Sequence, residues 1–174
     1  MMKSDHVCVL RDLEKFQTVT DILKEQGLSC GYRILETGIL EANRFISRML
    51  RIPLASEVFY LKKIRTVEGV PKSIEKTYIL HEKVKGIRQA DLEEHSFYEV
   101  IRERFGYMTG KSEEEILIVT ASAEEQALLA CQEQELLMIR GTTYLEGTEP
   151  FEYFEIITVS DFYRFRSVTE TNGI

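Results

Sequence analysis

Two stretches of this chain repeat one another, and the repetition constrains the fold more than any other feature. In the first, residues 32–40 alternate as a strand, and Ala42, Phe45, Ile46, Met49 and Leu50 mark one face of an amphipathic helix. Residues 57–80 then read as a hairpin. In the second, residues 116–120 are strand-like, and Ser122-Ala123-Glu124-Glu125 is a capping box that opens a helix through about Cys131. A second hairpin follows, turning at residues 147–150. Leu50 aligns with Leu129, Gly69 with Gly147, and Pro71 with Pro150 after a one-residue slip at the turn. Strand, helix, hairpin, twice over, supplies six strands and predicts an α+β fold: one antiparallel sheet with helices on one face.

The first hairpin holds the most suggestive chemistry. A period of two puts Phe59, Leu61, Lys63, Arg65 and Val67 on one face, so two cations share that face with three apolar side chains. A three-residue loop, Gly69-Val70-Pro71, would set Glu75 opposite Arg65 on the same face. Two cations, a carboxylate and apolar walls fit a lined pocket. A cross-strand ion pair on an exposed surface fits the spacing equally well.

Other segments add candidate parts. Residues 18–26 are helical in pattern, with Val19, Ile22, Leu23 and Gln26 in one stripe, Gly27 as the stop, and Thr18 placed to cap. The start of such a helix offers free N–H groups to an anion. Between the repeats, Ser96-Phe97-Tyr98-Glu99 is a further capping box, and the helix it opens ends at Gly106. The last strand places Glu152, Phe154, Ile156 and Thr158 on one face and Phe151, Tyr153, Ile157 and Val159 on the other. The second set is too apolar to face water and predicts a homodimer interface. The aromatic run at residues 161–165 is expected to pack back on the sheet.

Composition narrows the function classes. No apolar run reaches the roughly 18 residues of a membrane span, and the first residues lack a signal-peptide pattern, so a cytoplasmic protein is expected. Cys8, Cys30 and Cys131 are scattered and expected to be free thiols; His6, His81 and His95 make no zinc pattern, and no cofactor is implied. A net charge of −7 without a long basic cluster argues against nucleic-acid binding by these residues alone.

In order and spacing, several motifs together resemble the UTRA domain, the effector-binding module of the HutC branch of GntR-type bacterial transcription regulators. They are residues 18–27; Lys63-Ile64-Arg65 before Glu68-Gly69-Val70-Pro71; and Glu75-Lys76-Thr77-Tyr78. They continue with Asp91-Leu92, Ser96-Phe97-Tyr98, Phe105-Gly106, the Gly147-x-x-Pro150-Phe151-Glu152 turn, and residues 161–165. The resemblance implies a chorismate-lyase-like fold and a non-enzymatic, dimeric sensor of a small molecule such as a phosphorylated sugar or other anionic metabolite. It implies an anion site at Thr18, Val19 and Thr20, a basic pair at Lys63 and Arg65, acids at Glu75 and Glu152, and polar helix-start residues Ser96 and Tyr98. Relatives usually carry arginine at Lys63 and tyrosine at Thr158, the last position of the implied site. The expected organisation is a linker remnant at 1–15, the ligand-binding domain at 16–166 and a tail at 167–174. DNA contact is expected only through a winged-helix domain outside these residues. A chorismate-lyase-like enzyme and a ligand-free dimerisation module are the alternatives.

Overall fold

In the computed structural model, residues 7–171 are described, so parts of the expected linker remnant and tail lie outside the described residues. In chain order the elements are β1 (Val9–Asp12), α1 (Val19–Glu25), β2 (Cys30–Glu41), α2 (Arg44–Leu50), β3 (Glu57–Val67) and β4 (Val70–Leu80). A 3-10 turn (His81–Val84), α3 (Gln89–Glu94) and α4 (Phe97–Phe105) link these to β5 (Thr109–Thr120), α5 (Ala123–Leu129), β6 (Glu135–Leu145), β7 (Pro150–Thr158) and β8 (Tyr163–Arg166).

The duplication holds in detail. Asn43 and Ser122 cap α2 and α5 by accepting from the backbone N–H three residues on, and Arg51 and Ala130 end the same helices in the left-handed region (φ 54° and 50°). Neither is glycine, so each helix end carries a strain of about 1–2 kcal/mol that the surrounding packing must offset. The two repeats join along β4 and β7, giving a six-stranded antiparallel sheet in the order β2-β3-β4-β7-β6-β5.

Helices cover both faces of this sheet, where the sequence predicted one. On the first face, Leu92 of α3 and Phe97, Val100 and Ile101 of α4 pack on Phe59, Leu61 and Ile79, while Val19, Ile22 and Leu23 of α1 join Val67. On the second, Ile46 and Leu50 of α2 pack on Val58 and Tyr153, and Leu129 of α5 shares a core with Ile74 and Ile157. This corrects the expected dimer surface on β7. Tyr153, Ile157 and Val159 are buried within the chain, and Phe151, beside a bulge, joins the apolar cluster that includes α4 residues.

Two further departures bear on the site. The first hairpin turns on two residues, Glu68 (φ 50°) and Gly69 (φ 78°), and not on a three-residue loop. Positive φ at both central positions is the type I′ hairpin geometry, which matches the twist of the strands. A bulge then shifts the register between Arg65 and Thr66, so Arg65 faces Ser73 and Glu75 faces Lys63. Residues 9–12, expected to belong to a linker, form β1, which pairs in parallel with β8 across the register Val9–Tyr163 to Asp12–Arg166.

Candidate ligand-binding site

A cavity of about 220 Å³ opens on the first face of the sheet. Its floor carries Lys63, Arg65, Glu75, Thr77, Glu152 and Phe154 from β3, β4 and β7. The starts of α1 and α4 form its walls: Thr18, Val19 and Thr20 on one side, Ser96 and Tyr98 on the other. Local chemistry sets both starts. Thr18 Oγ1 accepts from Asp21 N at 3.1 Å, and Ser96 and Glu99 cap each other's backbone N–H at 3.4 and 3.1 Å. The remaining free N–H groups of each first turn lie on the cavity's rim, where a helix dipole favours negative charge.

Arg65 is the hub of the floor. Its Nε donates to Glu75 Oε1 at 2.6 Å and its Nη2 to Oε2 at 3.2 Å, a two-pronged pair, while Nη1 donates to Thr20 Oγ1 at 3.0 Å and lies 3.1 Å from Cys30 Sγ. Lys63 Nζ sits 3.3 Å from Glu75 Oε2 and 4.8 Å from the centre of the Tyr32 ring. Ser73 Oγ also donates to Glu75, at 3.1 Å. Burial works to raise the Glu75 pKa, but the charges of Arg65 and Lys63 and their hydrogen bonds prevail and hold it at about 2. The same pair raises the Arg65 pKa against the effect of burial.

Glu152 is the contrasting acid. Thr77 Oγ1 donates to one oxygen at 2.9 Å and Tyr98 OH to the other at 2.7 Å, with no cation in ion-pair contact among the described residues. Burial raises its pKa, opposed by those hydrogen bonds and by the charge of Lys63. Burial beside Glu152 likewise pushes the Tyr98 hydroxyl well up. One buried acid is thus bound to cations and another to hydroxyl donors, so the floor offers both charge and hydrogen-bonding capacity to a polar ligand.

Nine of the ten residues implied by the resemblance meet at this cavity: Thr18, Val19, Thr20, Lys63, Arg65, Glu75, Ser96, Tyr98 and Glu152. Thr158 does not. It is fully buried and donates to the Lys72 carbonyl at 2.8 Å, a carbonyl exposed to this contact by the bulge that follows Pro71. Sequence reasoning missed Tyr32, whose hydroxyl donates to the carbonyls of Leu92 and His95 and so ties the floor to the approach of α4. It also missed Arg11, Phe16 and Glu114, which close the cavity from β1, the β1–α1 connection and β5. The signal for Tyr32 was its place two residues into a strand flanking the basic pair; Arg11 and Glu114 gave none.

Sheet and duplication together define an α+β domain of the chorismate-lyase-like fold class, with a polar cavity on one face of the sheet. The UTRA domain family model matches residues 25–164, and the chain belongs to that family. It is similar to the HTH-type transcriptional repressor NagR of Bacillus subtilis (strain 168), 22% identical over 154 residues that cover 88% of this chain and 63% of NagR. It is also similar to the HTH-type transcriptional repressor PhnF of Mycolicibacterium smegmatis, 29% identical over 110 residues that cover 63% of this chain and 45% of PhnF. The chain therefore spans less than two thirds of the length of these relatives. In three dimensions it resembles the crystal structure of the effector domain of PhnF from Mycobacterium smegmatis, with a TM-score of 0.84 at 23% identity over 94% of this chain and all of that one. The ligand-binding domain of a putative GntR-family transcriptional regulator from Bordetella bronchiseptica gives a TM-score of 0.76 at 23% identity, over 82% and 90% of the two chains. At these identities the structural likeness is one of fold.

Proposed function

We propose that this chain is the effector-binding domain of a GntR-type regulator of the HutC branch, and that it binds a small anionic metabolite such as a phosphorylated sugar. The observation that carries this reading is the convergence of two buried cations, Lys63 and Arg65, with the open starts of α1 and α4 on one cavity. Buried cations need a counter-charge. Glu75 supplies it, and an incoming anion competes with Glu75 for the same guanidinium and ammonium groups while gaining backbone donors from the helix starts. Because α1 follows directly on β1, a ligand that favours one position of α1 biases the segment leading into the domain, and through it a winged-helix DNA-binding domain outside these residues.

The names of the relatives support a sensor in preference to an enzyme, and a regulator acting on DNA in a bacterium would work in the cytoplasm. The ligand-binding unit of this reading extends beyond the expected 16–166 to take in β1, which pairs with β8 and brings Arg11 to the cavity. A homodimer remains part of the reading on the strength of the resemblance and of the two-fold symmetry that paired operator half-sites require; β7 is not its interface. Light scattering at micromolar concentration tests the dimer, and a monomer would overturn it. For the ligand, thermal-shift screening and native mass spectrometry against sugar phosphates, carboxylated amino-acid derivatives and matched neutral analogues should pick out anions. Stabilisation by neutral analogues alone would refute the anion-binding reading.

A further inference from the structure

We infer that an anionic effector binds together with one proton, which Glu152 takes up as the ligand enters. This rests on the anion-binding reading above and adds to it how the site responds to pH. The floor of the cavity carries two cations, Lys63 and Arg65, and two acids, Glu75 and Glu152. With both acids ionised these charges cancel, and an incoming anion tips the balance to the negative side. The walls do not make up the difference, since each helix brings one acid and one cation, Asp21 with Lys24 from α1 and Glu99 with Arg102 from α4. Arg11 of β1 is paired with Glu114 of β5 at 3.0 Å, and Lys76 of β4 with Glu155 of β7 at 3.7 Å. Like charges gathered in a poorly solvated space disfavour one another's ionised forms, so one acid on the floor should yield.

The two acids are held differently. Glu75 is gripped by both cations, with Arg65 Nε at 2.6 Å and Lys63 Nζ at 3.3 Å. Glu152 is 2% exposed and accepts from neutral hydroxyls, Thr77 Oγ1 at 2.9 Å and Tyr98 OH at 2.7 Å, with no ion-pair partner among the described residues. The charge that helps to keep it ionised is that of Lys63, and an anion bound at Lys63 cancels that help. Glu152 is therefore the acid that yields. An acceptor for the added proton stands alongside. Thr143 is the register partner of Glu152 on β6, is fully buried, and its hydroxyl has no hydrogen-bond partner among the described residues. The proton comes from the buffer acid and forms an O–H bond on one Glu152 oxygen, which donates to Thr143 Oγ1 while Thr77 and Tyr98 go on donating to the carboxyl. No buried donor is then left unpaired.

Calorimetric titration of the full chain with sulfate and with inorganic phosphate tests this, run between about pH 5 and 8 in buffers of low and high ionisation enthalpy. Sulfate stays a dianion throughout, so a proton taken up with it belongs to the protein. The expected result is an enthalpy that varies with the buffer, an uptake approaching one proton per anion within that range, and affinity rising by up to about tenfold per pH unit on acidification. Glu152→Gln, uncharged from the outset, should bind sulfate with an enthalpy independent of buffer and with little change across the same range. The difference between wild type and variant cancels protons exchanged by the probe or by other groups, so phosphate can be read in the same way. Saturable binding with no buffer dependence in the wild type would overturn the inference and leave the anion site standing. Uptake that persists in Glu152→Gln would assign the proton to another group, Glu75 first, and overturn it as well. Absence of binding by both anions would overturn the inference together with the anion-binding reading on which it rests.

Discussion

Glutamine in place of Glu75 removes one charge from the floor of the cavity and changes little else in shape. The wild-type carboxylate is 8% exposed and holds Arg65 through two hydrogen bonds, Lys63 through an ion pair and Ser73 through a third hydrogen bond. Glu75→Gln would leave Arg65 and Lys63 buried without a counter-charge. Two routes give the cost. A pKa depressed from 4.5 to about 2 corresponds to about 3 kcal/mol at neutral pH. Breaking a buried ion pair by deleting one partner costs about 3–5 kcal/mol. The pH dependence follows from the sign: the folded pKa lies below the unfolded one, so the contribution is complete above pH 4.5 and is lost as pH falls towards 2. Urea denaturation of wild type and Glu75→Gln should therefore show a gap of about 3 kcal/mol at pH 7, narrowing to about 1 kcal/mol near pH 3. The variant should also bind anions more tightly, because the ligand no longer competes with a resident carboxylate. A gap below about 1 kcal/mol at pH 7, or one equal at both pH values, would refute the assignment of Glu75 as counter-charge.

Arg65→Ala should weaken anion binding about ten- to a hundred-fold by loss of a charge-assisted contact worth roughly 1.5–3 kcal/mol, and Arg65→Lys should recover part of it; unchanged affinity by calorimetry in a folded variant would move the pocket elsewhere. Glu152 has the opposite sign to Glu75. Its folded pKa is raised, so the ionised carboxylate is a net cost at neutral pH that fades on acidification, and Glu152→Gln should be neutral or stabilising in thermal melts at pH 7, with the advantage shrinking as pH falls. Marked destabilisation at pH 7 would contradict this. Gly141→Ala should cost about 1–3 kcal/mol or more in chemical denaturation, since a Cβ there would stand 2.3 Å from the Glu113 carbonyl oxygen and 2.9 Å from Phe154, forcing β5 away from β6.

Much of this molecule is legible in its sequence, and the failures have physical causes. The duplication was visible because caps, apolar stripes and turn residues recur at matching places, and the left-handed residues Arg51 and Ala130 extend the match to positions without a sequence signal. The grouping of Lys63, Arg65 and Glu75 was right although the turn was misread, because two errors cancelled. A two-residue turn alone would have put Glu75 on the opposite face; the bulge after Pro71 restores it to the cavity side. Bulges of this kind depend on long-range packing and leave little trace locally. The surface assigned to a dimer failed for a different reason. Alternation shows that both faces of β7 are apolar, but not that α2 and α5 supply the cover. Arg11 and Glu114 were invisible because each is an ordinary charged residue, and only the pairing of β1 with β8 brings the former to the site.

That pairing has a mechanical consequence. β1 and β8 run in parallel, with Val9 N–H bonded to the Phe162 carbonyl at one end and Leu13 N–H to the Arg166 carbonyl at the other. Tension drawn through the chain ahead of β1 and behind β8 therefore acts along the strands in opposite directions. The rungs are loaded together in shear; they are not peeled one at a time, and the clamp resists a pull until all give way at once. A stiff clamp passes small displacements on without absorbing them, and on the sensing role proposed above it would deliver a movement of α1 along β1 with little slack.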